Sequence, residues 1–455
     1  MSYKIAFIGG GSVLWTPRLS CDMFLEPSLQ GSELHLVDID RNATKLVKRY
    51  LESADQFIGN DWKIFDSDMD TALKGADCVI VSISTGGFEA MDLDYHIPEK
   101  YGVFHTVGDT VGPAGISRSL RNIPVFIDIA RKMEKLCPDS YMLHVTNPLS
   151  QLTRAVNKAT NIKCVGMCHE YTGIIKMLQN FFKLDNDNDI DSLCIGVNHF
   201  TLMDKLKIKG IADPMEQLTL KNYLEYEMKQ DGSFKTGTTD DEVAKLVESS
   251  EKLYPYYFNF YIYEKLGVFP VSGTNHFCEN IPFFNNSEDT LKKYHLHRKG
   301  VLPGRPDRKK ERTQWLLDTL DKGEQPPESK ERSNEMLCDA VVGLLTGEPR
   351  RIIAALPNIG QIDDLPRQVA VETWATASRC GVSPVASGNV PAPYKGFMQQ
   401  VIDEQELTVE AGISGDKTKV VQAMFASPEL HRKDMAEELA GELLAAHREH
   451  LPQFN

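Results

Sequence analysis

Short apolar runs alternate with amphipathic stretches through the first half of the chain. Lys4 to Ile8 is the first run, and Gly9-Gly10-Gly11-Ser12 follows directly before an amphipathic segment reaching about Leu25. That order reads as strand, tight turn, helix. Glu33-Leu34-His35-Leu36-Val37-Asp38 is the second run, and further strand-like runs lie at Asp77–Ser84, Tyr141–Thr146, Lys163–Met167 and Ser192–Val197. Strands separated by helical periodicity predict an α/β domain with a doubly wound parallel sheet. After about Asp213 helical stretches and long polar loops dominate, and the very polar region from Ser287 to Ser333 reads as a mobile excursion. Helical segments at Asn334–Leu345 and Asp434–Arg448 flank an apolar strand-like region. A chain of 455 residues exceeds what one core usually holds. The expected division is an α/β domain over residues 1–197 and an α+β domain over residues 198–455.

The ends of the strand-like runs carry the chemistry. Glycines at 9, 10 and 11 let the backbone approach a pyrophosphate closely, and free amides at the following helix start favour negative charge. The third glycine of the usual dinucleotide fingerprint is missing, with Leu14 near its place. Asp38 ends the second run as a carboxylate suited to ribose hydroxyls, its competing role being a helix cap near Arg41. No basic residue directly follows Asp38, which favours NAD over its phosphorylated form, although Arg41 is near. Ser84, Thr146 with Asn147, and Cys168-His169-Glu170 all fall where a doubly wound sheet binds its ligand. A thiolate from Cys168 and an imidazole from His199 would hold a divalent metal at half coordination, leaving positions open for a chelating substrate. Asp109, within the turn-rich Gly108–Ile116 stretch, and the following Arg118 and Arg121 suggest an ordered active-site loop leading into a helix.

The formal net charge of −14 excludes a general phosphate-backbone binder. The mixed-sign run Arg305–Arg312 reads as solvated surface. Nine cysteines without framework spacing point to a reducing cytoplasm. No signal peptide and no apolar run of roughly 18 residues argues for a membrane association.

Taken together, Gly9-Gly10-Gly11-Ser12, Gly108-Asp109-Thr110, Thr146-Asn147-Pro148, Cys168-His169, Asn198-His199, His276 with Glu279, Pro357-Asn358 and Gln405–Glu410 resemble the family-four glycoside hydrolases. These are NAD- and divalent-metal-dependent glycosidases, an exception to two-carboxylate hydrolysis. The resemblance implies a Rossmann-like fold related to lactate and malate dehydrogenases, and NAD with Mn2+ as cofactors. It makes Cys168 and His199 the metal ligands, and Asn147 and His169 sugar contacts, with Asp109 lining the site and Asn198 and His276 beside the substrate. His169, Asp109 and Tyr257 are the implied catalytic residues, Tyr257 being placed as the base at C2 by the aromatic run Tyr254–Tyr261. Many relatives carry an aspartate where this chain reads Gly273-Thr274-Asn275-His276. Glu170 after Cys168-His169 looks most like the α-galacturonidase branch, with Arg118 and Arg121 the candidate partners of a uronate. α-Glucuronidase, α-galactosidase and α-glucosidase of the same family are the alternatives, with a hydroxy-acid dehydrogenase behind them. A homodimer or homotetramer is expected from the family.

Overall fold

The computed structural model describes residues 2–230, 254–298, 300–302 and 304–454. Six parallel strands form its centre: β1 (Lys4–Ile8), β2 (Glu33–Val37), β3 (Lys63–Asp66), β4 (Cys78–Val81), β5 (Tyr141–His144) and β6 (Cys164–Gly166). Their order across the sheet is β3-β2-β1-β4-β5-β6, so the chain reverses direction of winding between β1 and β4. That crevice is where such sheets bind dinucleotides. Along β1, Ile5 and Phe7 pack on one face while Ala6 and Ile8 pack on the other. A strand buried on both faces needs a continuous apolar run, which is why these strands stand out in the sequence.

Two expectations for the strands require correction. The run ending at Val197 does not join the parallel sheet. β7 (Ile190–Val197) pairs antiparallel with β8 (Phe200–Ile208), and β9 (Phe269–Pro270) completes a separate three-stranded sheet. Only Asn198 and His199 connect β7 to β8, and a two-residue connection permits only antiparallel pairing. Conversely, β10 (Arg350–Pro357), β11 (Ala370–Ser378) and β12 (Gly381–Pro384) extend the large sheet antiparallel beyond β6. A division at 197/198 therefore cuts a hairpin, and the second half contributes three strands to the sheet of the first.

Short β3 is half exposed and was not apparent as an apolar run. The polar region before Ser333 is more ordered than its composition suggests. Residues Gly304–Lys322 form a helix that buries Leu316 and directs Arg312 to Glu328. Between the two expected late helices lie two more, Ala392–Ser414 and Lys417–Ala426, and Tyr394, Met398 and Val401 of the first pack with Val197 and Phe200 of the hairpin. The remaining late helices, Leu337–Thr346 and Ala436–Ala446, start two or three residues after the expected positions. Among the described residues no helix is long and apolar enough to cross a membrane. All nine cysteines are free.

Candidate active site

One side of the crevice is built from four adjacent strand ends, those of β2, β1, β4 and β5. The amides of Gly9 and Gly10 donate to Val37 O, 2.8 and 2.9 Å away, which folds the turn down onto β2. Gly9 has φ +88°, and a Cβ there would lie 1.9 Å from Ser82 O. A side chain is thus excluded both by conformation and by space. Asp38 Oδ2 accepts from the Gly11 amide at 2.9 Å and Oδ1 from the Asp40 amide at 2.9 Å. Each oxygen keeps a lone pair for a hydroxyl. The cap of the helix Arg41–Ile58 is Asp40, which accepts from Asn42 and Ala43, so Asp38 is free of the capping role. Arg41 is engaged with Ser67 O at 2.6 Å and Asp66 at 3.1 Å, which leaves the NAD preference standing. Ser84 is exposed beyond β4, while buried Thr146 accepts the Ile83 amide at 3.0 Å and links the ends of β4 and β5.

Opposite that cleft four distant segments converge. Asp109 lies on the loop before the helix Gly112–Leu136, and Asn147 follows β5. His199 sits in the β7–β8 turn, and His276 in a short helix, Thr274–Phe277. The ligand atoms of Asp109, His199 and His276 all lie within 4.8 Å of one another. Thr110 Oγ1 bridges Asp109 Oδ1 at 2.8 Å and His199 Nδ1 at 2.6 Å, and Asn147 Nδ2 donates to Asp109 Oδ2 at 3.1 Å. His199 occupies the left-handed region with φ +60°, an uncommon state for a residue other than glycine. Its carbonyl is held by Asn280 Nδ2 at 3.1 Å, and the Asn198 amide by Ser150 Oγ at 3.2 Å.

Electrostatics differentiate the two imidazoles, whose ring centroids are 3.9 Å apart. Burial, then the neighbouring His276, push His199 down to about 4. It is therefore the neutral imidazole that a metal requires. Burial also disfavours charge on His276, but Asp109 and Glu170 on either side raise it to about 9. Although burial opposes its ionisation, the Asp109 carboxyl is held well below the usual range by His276, then His199 and Arg118. Glu170 begins the helix Glu170–Phe182, accepts the Gly273 amide, and stands 3.8 Å from His276 Nε2 and 3.7 Å from His169 Nε2. Its carboxylate is thus occupied by the protein.

Cys168 lies outside the three-residue donor cluster. The residue is half-buried, and burial of its thiol, then Glu372 and Glu170, raise it well above the ordinary thiol range. Arg118 Nε donates to Asn147 O at 3.1 Å, while its Nη1 is buried without a hydrogen-bond partner. Arg121 corrects an expectation. Its guanidinium grips Asp94 with two bonds of 2.7 and 2.5 Å, and a buried, paired arginine is not available to a substrate carboxylate. The Tyr257 ring lies 4.5 Å from that of His295, tilted 53° to it, whereas the hydroxyl of its neighbour Tyr256 approaches Gly173 and is pushed up to about 12 by burial and then by Glu170.

Sequence reasoning missed Glu372, on β11, which accepts from Asn198 Nδ2 at 3.0 Å and is raised to about 7 by burial, with Glu170 adding to the rise. A glutamate inside the apolar run Ala370–Ala377 was the available signal, since strands covered on both faces rarely hold unpartnered acids.

Family models match nearly the whole of this architecture. Residues 4–184 match the family 4 glycosyl hydrolase model, and residues 194–430 match the family 4 glycosyl hydrolase C-terminal domain. The chain belongs to family 4 of the glycosyl hydrolases. An alpha-galacturonidase of Thermoanaerobacter italicus is 31% identical, the match covering 98% of this chain and 97% of that one. An alpha-galactosidase of Bacillus subtilis is 29% identical over 99% of both chains. Among solved structures, the Bacillus subtilis protein lplD superposes with a TM-score of 0.82 at 29% identity, covering 97% of this chain and 100% of that one. A Thermotoga maritima 6-phospho-beta glucosidase, determined with manganese, NAD+ and glucose-6-phosphate, shares the fold with a TM-score of 0.78 at 22% identity, covering 98% and 99%. This family 4 chain is a glycoside hydrolase of the NAD-dependent class that departs from two-carboxylate hydrolysis.

Proposed function

We propose that this family 4 enzyme is an exo-acting α-galacturonidase. The observation that carries the reading is Arg118, a buried guanidinium beside Asp109 and Asn147 with Nη1 unpartnered. A buried donor without a partner is costly, and the C6 carboxylate of a uronide would satisfy it. Alpha-galacturonidases from several organisms, at about 30% identity, support the same choice.

The residues present fit both cofactors. The turn Gly9-Gly10-Gly11-Ser12 would hold the pyrophosphate of NAD, Asp38 the adenosine ribose, and Ser84 and Thr146 would line the approach to the nicotinamide. His199 and Cys168, with Asp109 and His276 close by, would hold Mn2+. The buried Asn198 Oδ1, which has no hydrogen-bond partner, is a polar atom that this centre and its substrate would satisfy. When bound, NAD takes and later returns a hydride at C3 of the sugar, and Mn2+ acts as a Lewis acid on the C2 and C3 oxygens. Asn147, His169, Glu170 and Asn198 orient the sugar, and Arg118 selects its carboxylate. Tyr257 is the proposed base that removes the C2 proton, which lets the glycosidic oxygen leave from C1. His169, with half its side chain exposed at the mouth of the site, is placed to move a proton at that oxygen. The enzyme is further proposed to be cytoplasmic and to work as a homodimer or homotetramer.

The test is a comparison of nitrophenyl α-galacturonide, α-glucuronide, α-galactoside and α-glucoside with NAD, Mn2+ and a thiol reductant. One charge-assisted hydrogen bond of roughly 1.5–3 kcal/mol should favour the galacturonide over the galactoside by one to two decades in kcat/KM. Arg118→Gln should remove most of that preference. Faster turnover of the neutral α-galactoside would make this protein an α-galactosidase instead.

A further inference from the structure

We infer that Glu279 is a positioning residue: its carboxylate clamps the loop 105–111 so that Asp109 faces His199 and His276, and so sets the affinity of the metal centre. The inference rests on the metal site proposed above. Asp109 lies on a segment without regular hydrogen bonding between Gly102 and Gly112, and such a segment is ordinarily mobile. Here three successive backbone amides, Thr106, Val107 and Gly108, donate to Glu279 Oε1 at 2.8, 2.8 and 2.9 Å. Successive amides pointing at one spot form a concavity for an anion. The chain fills that concavity with its own side chain. Gly108, at φ +66°, supplies the backbone reversal that aligns the third amide.

The clamp has a second property. Glu279 follows His276 by three residues within one continuous pair of turns, Thr274–Phe277 and Cys278–Asn280. Thr106 Oγ1 also reaches Asn275 O at 2.5 Å. The acid that holds the loop and the imidazole that faces Asp109 therefore move as one unit. Other attachments fix the ends of the loop. Arg298 Nε donates to His105 O at 3.0 Å, Gln151 Nε2 to Thr110 O at 2.7 Å, and the Gly112 amide is shared between the two oxygens of Glu404, each at 3.1 Å. None of these touches the amides immediately before Asp109. Only Glu279 does so among the described residues.

Supporting groups one step removed from a metal commonly change its affinity 10- to 100-fold when altered. Glu279→Asp, shorter by one methylene, should withdraw the oxygen from the three amides and weaken Mn2+ binding by about tenfold or more, with a parallel fall in kcat/KM. NAD affinity should stay the same. Glu279→Gln keeps an acceptor oxygen at the original reach and should recover most of the loss, to within about fivefold of the unaltered protein. Mn2+ affinity is read from the paramagnetic resonance of free Mn2+ in the full chain with NAD present. Unchanged Mn2+ affinity in folded Glu279→Asp, or a loss matched by equal loss of NAD affinity, would overturn the inference. Hydrogen exchange of the unaltered protein covers the case in which the variants do not fold. The amides of Thr106, Val107 and Gly108 should be strongly protected, and exchange at open-loop rates would overturn the clamp itself. If the unaltered protein binds no Mn2+, the metal reading fails and takes this inference with it, while protected amides would still show that the clamp exists.

Discussion

The two sides of the crevice are made in different ways. The cofactor turn is local: Gly9 to Ser12 close onto β2 and β4, and Asp38 holds the turn through the Gly11 amide. The side proposed to hold the metal brings together Asp109, Asn147, His199 and His276 from four separate segments, with Glu279 from the second half of the chain bonded to the loop before Asp109. A local motif can be recognised from spacing, whereas a convergent one is specified by packing. The same contrast predicts that damage to the two sides is separable.

The largest separable effect is loss of the metal centre. Chelation, or His199→Ala, should lower kcat/KM by roughly a thousandfold or more, since Lewis-acid stabilisation supplies several kcal/mol. NAD binding, followed by fluorescence titration, should be nearly unchanged. If NAD affinity fell in step with activity, the two sides would not be independent. Gly9→Ala gives the converse. Its Cβ would sit 1.9 Å from Ser82 O at a φ of +88°, so the turn must open. A destabilisation of about 2 kcal/mol or more is expected, with a clear loss of NAD affinity and retained Mn2+ binding in whatever remains folded. Wild-type NAD affinity in that variant would show that the turn is not the pyrophosphate seat.

The smallest effect concerns the acids behind the metal side. Burial raises the Glu404 carboxyl from 4.5 to about 7, so the folded chain holds this proton more tightly than the unfolded chain. The resulting stability is complete below about pH 4.5 and is lost as the pH rises through about 7. Glu404→Gln keeps an acceptor for the Gly112 amide and removes the titration. The variant should melt a few degrees above the unaltered protein at pH 8 and show a flatter decline in Tm from pH 5 to 8. An identical pH profile would remove Glu404 from the set of buried titrating acids.

These differences also explain what could be read from the sequence. The strands β1, β2, β4, β5 and β6 were legible because burial on both faces demands unbroken apolar runs. The residues at their carboxyl ends could then be assigned to one crevice. β7 misled because the run Ser192–Val197 within it is apolar enough for the central sheet, and only the two-residue turn Asn198-His199 reveals the hairpin. Arg121 was indistinguishable from Arg118 in sequence. Its pairing partner Asp94 lies on the helix Gly87–His96, and no spacing connects the two. Glu279 and Glu372 reach the site only through tertiary packing, so their roles were not legible even though Glu279 stands beside a recognised histidine.

The reaction proposed for this site passes through removal of the C2 hydrogen with NAD and Mn2+ both bound. The most direct test is hydrolysis of an α-galacturonide in D2O by the protein loaded with both cofactors, followed by nuclear magnetic resonance of the released sugar. Deuterium should appear at C2, NADH should not accumulate, and Tyr257→Phe should slow the exchange sharply. Persistence of exchange in that variant together with its loss in Tyr256→Phe would move the base by one residue and leave the proposed reaction intact. Efficient NAD-dependent hydrolysis that leaves C2 unlabelled would contradict it.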